Sequence, residues 1–303
     1  MKSLLIVNTT AGQRAGDDVL RQLSEAYGDQ TPPMSFTTGA GDAHRLAYEA
    51  AITGRYDCVC AVGGDGTVNE VASGLIEAAP QSSRPLLGIL PCGTSNILAT
   101  ELGIPGPDLR GAVDVIREGF VKKIDYGRVG DKIFLLMAGC GLDAEAVRDV
   151  FAPLKSVMGP GAYVMSGLAA LATFETSRVV LTYDDETLTA DSFVIVVANV
   201  SAYGVGAVKL APFAALDDGW LDICLFEKPP MDKIGILGQV MRIVARRHIG
   251  DPRVRYLRAK RIVIDADPPL AAQIDGDTAG QTPMTIELVE KSLSVLAPAE
   301  PLT

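Results

Sequence analysis

The sequence predicts a two-domain protein: a parallel α/β domain over residues 1–125, a β-rich domain over 126–290, and a last stretch, 291–303, returning to the first. Three observations carry this expectation. Strand-like and helix-like patterns alternate through the first 125 residues, as in a parallel sheet. Four of those strands lead into loops of small polar residues. After Ile124 the strand-like segments dominate.

In order, the first domain is read as strand 4–8, helix 17–27, strand 34–37, helix 42–52, strand 57–62, helix 69–79 and strand 86–90. Each strand is a short apolar or β-branched run, and each helix places apolar residues three and four apart. The loops are Asn8-Thr9-Thr10-Ala11-Gly12, the segment from Thr37 to Asp42, the turn Gly63-Gly64-Asp65-Gly66-Thr67, and Pro91-Cys92-Gly93-Thr94-Ser95-Asn96. Ligands of open α/β sheets sit beyond the carboxyl ends of the strands, so these loops should form one nucleotide-sized cleft. In the second domain, strands are expected at 132–137, 179–183, 192–200, 220–226, 261–265 and 284–289, with a final one at 293–297. No internal repeat or low-complexity tract is apparent.

The turn from Gly63 to Thr67 is the most informative segment. Three glycines in four positions let a backbone approach a polyanion, and the turn opens a helix, whose N-terminus attracts phosphate. It is neither a Walker A loop nor a G-x-G-x-x-G fingerprint. Asp65 stands among these amides, where a carboxylate would repel phosphate unless it faces Mg²⁺ or takes a proton, so it points to phosphoryl transfer. The plain alternative is a Gly-rich turn whose Asp caps the next helix.

Composition bounds the rest. At 303 residues and 48% hydrophobic content the chain can bury a full core. Five cysteines, Cys58, Cys60, Cys92, Cys140 and Cys224, lie mostly in apolar runs, as reduced core thiols of a cytoplasmic protein would. Two distant histidines make a His metal site or a catalytic imidazole improbable. A net charge of −10 argues against a nucleic-acid binder. The most apolar run, 161–174, is shorter than the ~20 residues a membrane span needs and reads as a buried helix. Eight basic residues, Arg242, Arg246, Arg247, Arg253, Arg255, Arg258, Lys260 and Arg261, face only Asp251 within their own stretch. They read either as the end of an amphipathic helix begun at Pro230-Met231-Asp232 or as a surface attracted to anionic membrane.

The ordered set NTTAG, TTGAGDA, GGDGTVNE, PCGTSN, IDYG, LDDGW and IDGD resembles the diacylglycerol kinase catalytic-domain family, which includes bacterial lipid kinases and sphingosine kinases and shares a fold with NAD kinases. The likeness spans nearly the whole chain. It implies an N-terminal Rossmann-like α/β domain, a C-terminal β sandwich, ATP in a cleft between them, and phosphorylation of a lipid hydroxyl. By this resemblance Asn8, Thr37, Gly63, Gly64, Asp65, Gly66, Thr67, Val68, Asn69, Glu70, Gly93 and Thr94 contact ATP, and Asp65 faces the Mg²⁺ that bridges its phosphates. Ala215, Asp218 and Trp220 match a structural Mg²⁺ site, Asp218 through its carboxylate and the others through carbonyls; a metal-free surface turn is the alternative. Asp277 matches the acid of the family's Asp-Gly-Glu motif and is the candidate general base, unless Asp275 shares that role. The resemblance also implies a cytoplasmic enzyme in transient contact with the inner membrane face, with a homodimer as one form.

Three positions depart from the family pattern. Asp277 replaces Glu and is one methylene shorter. Ile97 stands where many diacylglycerol-type members carry an active-site acid, which leaves the acceptor lipid open among diacylglycerol, a sphingoid base, ceramide and phosphatidylglycerol. Thr9 replaces a turn-stiffening proline. An NAD kinase would share GGDGT, but no Gly-Ser-Thr-Ala-Tyr-like motif accompanies it here. A non-catalytic nucleotide- or lipid-binding regulator would suit Ile97 and Asp277, and Asp65 argues against it.

Overall fold

The computed structural model describes residues 1–9, 16–106, 109–141, 176–203, 208–228, 235, 239, 242–243 and 245–299. The expected buried helix at 161–174 and the expected helix start at 230–232 lie outside them. The chain divides into two units. The described residues of Met1–Tyr126 and Val289–Thr303 form the first, and those of Gly127–Tyr203 and Ala207–Leu288 the second.

The first unit alternates strand and helix: β1 (Ser3–Val7), α1 (Gly16–Tyr27), β2 (Met34–Phe36), α2 (Asp42–Ile52), β3 (Cys58–Gly63), α3 (Asp65–Ala78), β4 (Leu86–Pro91), α4 (Ile97–Glu101), α5 (Leu109–Glu118) and β5 (Val121–Val129). Strands β2, β1, β3 and β4 lie side by side in that order, all parallel. The order reverses at β1, because β2 and β3 flank it on opposite sides, and such a reversal opens a crevice at the carboxyl ends. All six residues of β3 are buried, as a central parallel strand covered on both faces requires. Helices α2 and α3 pack closely because Gly74 has no side chain; a Cβ there would run into the His44 carbonyl.

Helix α3 starts at Asp65, one turn earlier than the pattern predicts. Gly64 is its extended cap, and the Val68 N–H closes the first turn on the Gly64 carbonyl at 3.0 Å. Glycine's poor helix propensity had hidden that turn. Helices α4 and α5 were not anticipated. Helix α5 buries Leu109, Ala112, Val113, Val115 and Ile116 on one face.

The second unit is antiparallel: β6 (Lys132–Phe134), β7 (Met137–Gly141), β8 (Ser177–Tyr183), β9 (Glu186–Ala198), the short pair β10 (Ala202–Tyr203) and β11 (Val208–Lys209), β12 (Leu221–Glu227), β13 (Val254–Ala259), β14 (Arg261–Asp267), β15 (Ala271–Ile274), β16 (Asp277–Gln281) and the start of β17 (Met284–Leu296). The N-terminal half of β9 pairs with β8, and its C-terminal half with β12 and β7. One strand therefore joins two sets of neighbours in a continuous sheet, and apolar residues including Phe134, Leu181, Ile195, Ile223 and Ile264 form one buried core. The single strand expected at 132–137 is two, broken at Leu135 and Leu136. The two strands expected at 284–289 and 293–297 are one. In β17, Lys291 takes φ 44° and its N–H donates to Asp125 at 2.6 Å. Beyond this bend Val295 pairs parallel with Leu87 of β4.

Candidate functional site

The loops after β1, β2, β3 and β4 meet in the first unit. Asn8 N–H donates to the Val62 carbonyl at 2.9 Å and Thr37 N–H to the Val7 carbonyl at 3.0 Å, so each loop is anchored to its neighbouring strand. The Asn8 side chain donates to Thr67 Oγ1 at 3.0 Å, and Cys92 N–H to the Gly63 carbonyl at 2.8 Å. Glycine is required at two points. A Cβ on Gly63 would sit 2.5 Å from Thr67 Oγ1, and one on Gly93 would sit 2.5 Å from the Gly64 Cα. The turn after β3 and the loop after β4 thus touch backbone to backbone. Gly66, by contrast, has open space where a side chain would stand. The amides of Gly66 and Thr67 lie in the first turn of α3, where a helix offers no internal acceptor and its dipole is positive.

Asp65 is half-buried. Its two oxygens accept N–H bonds from Ile97 and Leu98, each at 3.1 Å, so it caps α4. Burial pushes its carboxyl above the ordinary aspartate range, and those backbone donors oppose the rise. Asn96 takes the left-handed conformation and closes a ring on Gly93, accepting from its N–H at 2.9 Å and donating to its carbonyl at 2.8 Å. Thr94 is exposed beside it.

Three residues expected at ATP have other work here. Val68 is buried, and its N–H bonds within the helix. Glu70 accepts from Gly41 N–H at 3.0 Å and Ala43 N–H at 3.1 Å, holding the start of α2. Asn69 Oδ1 accepts from Ser73 Oγ at 3.2 Å. Glu70 shares its task with Asp42, which accepts from both the N–H and the hydroxyl of Thr38; those bonds lower the Asp42 carboxyl to about 2. The pair fixes the loop after β2. Sequence reading missed this because the partners of Glu70 lie 27 and 29 residues away.

In the second unit, Asp277 opens β16 and is exposed. Asp275 is different. It adopts φ 47°, and its carboxylate accepts from Leu135 N–H at 2.8 Å, Leu136 N–H at 3.0 Å and Met137 N–H at 2.9 Å. These three bonds break the expected 132–137 strand. They also leave Asp275 poorly placed to accept a substrate proton.

Asp218 already faces a cation. Its carboxylate accepts from the Arg258 guanidinium and, at 3.1 Å, from the Trp220 N–H. Arg258 Nε also lies 3.3 Å from the fully buried Asp222, whose carboxyl burial raises and Tyr256 and Arg258 hold down. Among the described residues no group of three or more His, Cys, Asp or Glu is placed to hold a metal ion. The Asp218 carboxylate of the expected Ala215, Asp218 and Trp220 set is thus shared between Arg258 and the Trp220 N–H. Within the basic run Arg242 pairs with buried Asp251 at 2.6 Å, and acids from outside it serve Arg255, which meets Glu227 at 2.7 Å, and Arg258, which meets Asp218 and Asp222. Strand β13, unanticipated because arginines interrupt its apolar pattern, brings Arg255 and Arg258 to these partners through its pairing with β12.

A family model for the diacylglycerol kinase catalytic domain matches residues 2–129, and one for the YegS C-terminal NAD kinase beta sandwich-like domain matches residues 137–297. A protein of Bacillus subtilis (strain 168) described as a diacylglycerol kinase is 32% identical over 303 residues, covering 99% of this chain and 97% of that protein. One of Staphylococcus aureus (strain JH9), also described as a diacylglycerol kinase, is 33% identical over 302 residues, covering 98% and 92%. The crystal structure of a diacylglycerol kinase from Bacillus anthracis str. Sterne aligns at TM-score 0.77 with 26% identity, covering 98% of this chain and 97% of that one.

Proposed function

This chain belongs to the diacylglycerol kinase catalytic-domain family, and on that premise we propose that it transfers the γ-phosphoryl group of ATP to the hydroxyl of diacylglycerol or a related lipid. The observation that carries the reading is the contact of Gly64 with Gly93 at the start of α3. Two loops brought together backbone to backbone, beside helix amides with no internal acceptor, form a cradle for a polyphosphate chain. Asn8, Thr37, Gly63, Gly64, Gly66, Thr67, Gly93 and Thr94 line or shape it. Asp65 would hold the Mg²⁺ carried with the nucleotide, which supplies charge neutralisation on the phosphates. Val68, Asn69 and Glu70 act one step back, Val68 by packing and Glu70 by fixing the loop after β2.

The lipid oxygen attacks the γ-phosphorus, ADP leaves, and the hydroxyl proton passes to a carboxylate. Asp277 is the group we assign to that proton, since it is exposed while Asp275 is engaged with three amides. Among the described residues no helix is long and apolar enough to cross a membrane; in our reading the lipid is met by transient docking at a membrane surface on the cytoplasmic side. The full-length relatives described as diacylglycerol kinases favour a lipid over NAD as acceptor. Purified protein incubated with labelled ATP, Mg²⁺ and separate portions of diacylglycerol, sphingoid base, ceramide, phosphatidylglycerol and NAD tests the assignment. Label in a lipid supports it, and label in NAD alone overturns it.

A further inference from the structure

Strands β12 and β13 run antiparallel, and their register sets Arg258 directly across from Asp222. Asp222 is fully buried, because β12 lies between β13 and β9. A carboxylate in that place needs donors and a counter-charge. Strand β13 supplies both. Tyr256, two residues before Arg258 and so on the same face of the strand, donates its hydroxyl to Asp222 at 2.5 Å. Arg258 lies 3.3 Å from Asp222 through Nε and 3.4 Å through Nη2. The same guanidinium reaches on to Asp218, in the turn before β12, and the Asp218 carboxylate also accepts from the Trp220 N–H at 3.1 Å. Two residues further along, the Lys260 ammonium stands over the Trp220 ring, 5.3 Å from its centroid.

We propose that Arg258 is the resident cation of this turn, holding the charge position that the family resemblance gives to Mg²⁺ on Ala215, Asp218 and Trp220. A divalent ion on Asp218 would have to share that carboxylate with a guanidinium that cannot withdraw, since its departure would leave Asp222 buried without a counter-charge. The strand register brings the positive charge here because Asp222 demands it, and Asp218 receives the same charge as a consequence. Lys260 adds a second positive charge beside Trp220. The second unit therefore folds without Mg²⁺ at this turn. With Arg258 removed, two uncompensated carboxylates would draw a hard cation in.

The test uses the full chain without nucleotide, so that its outcome stands apart from the lipid-kinase reading, and follows melting temperature together with emission from Trp220, the chain's single tryptophan. Wild type should melt at the same temperature in excess Mg²⁺ and in excess EDTA, and its emission should stay level through a Mg²⁺ titration. Arg258→Gln should melt roughly 5–10 °C lower in EDTA, and Mg²⁺ should restore part of that loss and change the emission. Arg258→Gln with Asp218→Asn should show neither response. Arg258→Lys, which keeps the charge, should ignore Mg²⁺ as wild type does. A wild-type response to Mg²⁺ that Asp218→Asn abolishes overturns the proposal, and this comparison decides even if Arg258→Gln does not fold. So does an Arg258→Gln protein that melts as wild type in EDTA, or one that is destabilised yet blind to Mg²⁺, since Arg258 would then be an ordinary ion-pair partner.

Discussion

Replacing Gly93 by Ala would place a methyl group 2.5 Å from the Gly64 Cα and 2.9 Å from Asn96 Oδ1, so the two loops of the phosphate cradle would have to separate. Neither obstacle is the tip of a flexible side chain, for Asn96 is closed in its ring with Gly93. Overpacking of this kind costs about 1–3 kcal/mol, or roughly 2–10 °C in melting temperature for a unit of this size. Gly64→Ala is milder. Its Cβ meets only the Gly93 Cα, at 3.2 Å, and Gly64 has φ −93° and ψ −174°, which any residue adopts. Gly66→Ala meets nothing and lies in a helix, where Ala is favoured over Gly by about 0.5–1 kcal/mol. The three variants should therefore separate fold from ligand. In scanning calorimetry Gly93→Ala melts lowest, Gly64→Ala slightly below wild type, and Gly66→Ala at or above it. In titration calorimetry with ATP, Gly93→Ala loses affinity, and Gly66→Ala also loses it although its fold is stabilised, because the methyl enters the space left for phosphate. ATP affinity of Gly66→Ala equal to wild type would refute phosphate binding at the first turn of α3. An unchanged melting temperature for Gly93→Ala would refute the loop contact itself.

Asp65→Asn should lower turnover by about 10²–10³-fold and melting temperature by a few degrees, since the amide would turn an NH₂ toward the N–H of Ile97 or Leu98. Because burial raises the folded-state value of the Asp65 carboxyl, its stability contribution is full below the unfolded value and lost as pH rises through the folded one. The wild-type advantage in melting temperature over Asp65→Asn should thus grow toward acid, and a gap independent of pH would contradict the raised value. Asp277→Asn should lower turnover about 10²–10⁴-fold without changing the melting temperature, while Asp275→Asn should lower the melting temperature by turning an NH₂ toward an amide N–H; the reverse pattern in paired activity and melting assays would exchange their roles. Arg84→Met should cost about 2–3 kcal/mol, read by urea unfolding, because the guanidinium serves the carbonyls of Leu75, Ile76 and Ala79 at the end of α3 and of Ser292 in β17.

What could be read from the sequence follows from how local each signal is. The strands and helices of the first unit are written in short apolar periods, and helix 42–52 is found at its expected bounds. The start of α3 was hidden because Gly64 and Gly66 signal a turn in isolation, whereas here the turn is the helix's own cap. In the second unit the break at Leu135 comes from Asp275, 140 residues away, and no local pattern announces such a bond. Strand β13 was masked by the arginines whose partners the folded chain supplies.

The same distinction divides the site residues. A glycine run reports what the backbone needs at its own position, so the tight turn after β3 was legible before any coordinates. A carboxylate reports only that it needs a partner. Asp65, Glu70, Asp218 and Asp275 each find theirs in a segment distant in sequence: the start of α4, the start of α2, Arg258, and the corner between β6 and β7. Of these four, Asp65 alone stands in the glycine turn after β3, where burial raises its carboxyl, and on that ground it is the one assigned to the proposed chemistry. Asp277 differs from all four by its exposure, and a proton acceptor for an incoming hydroxyl must keep its oxygens available.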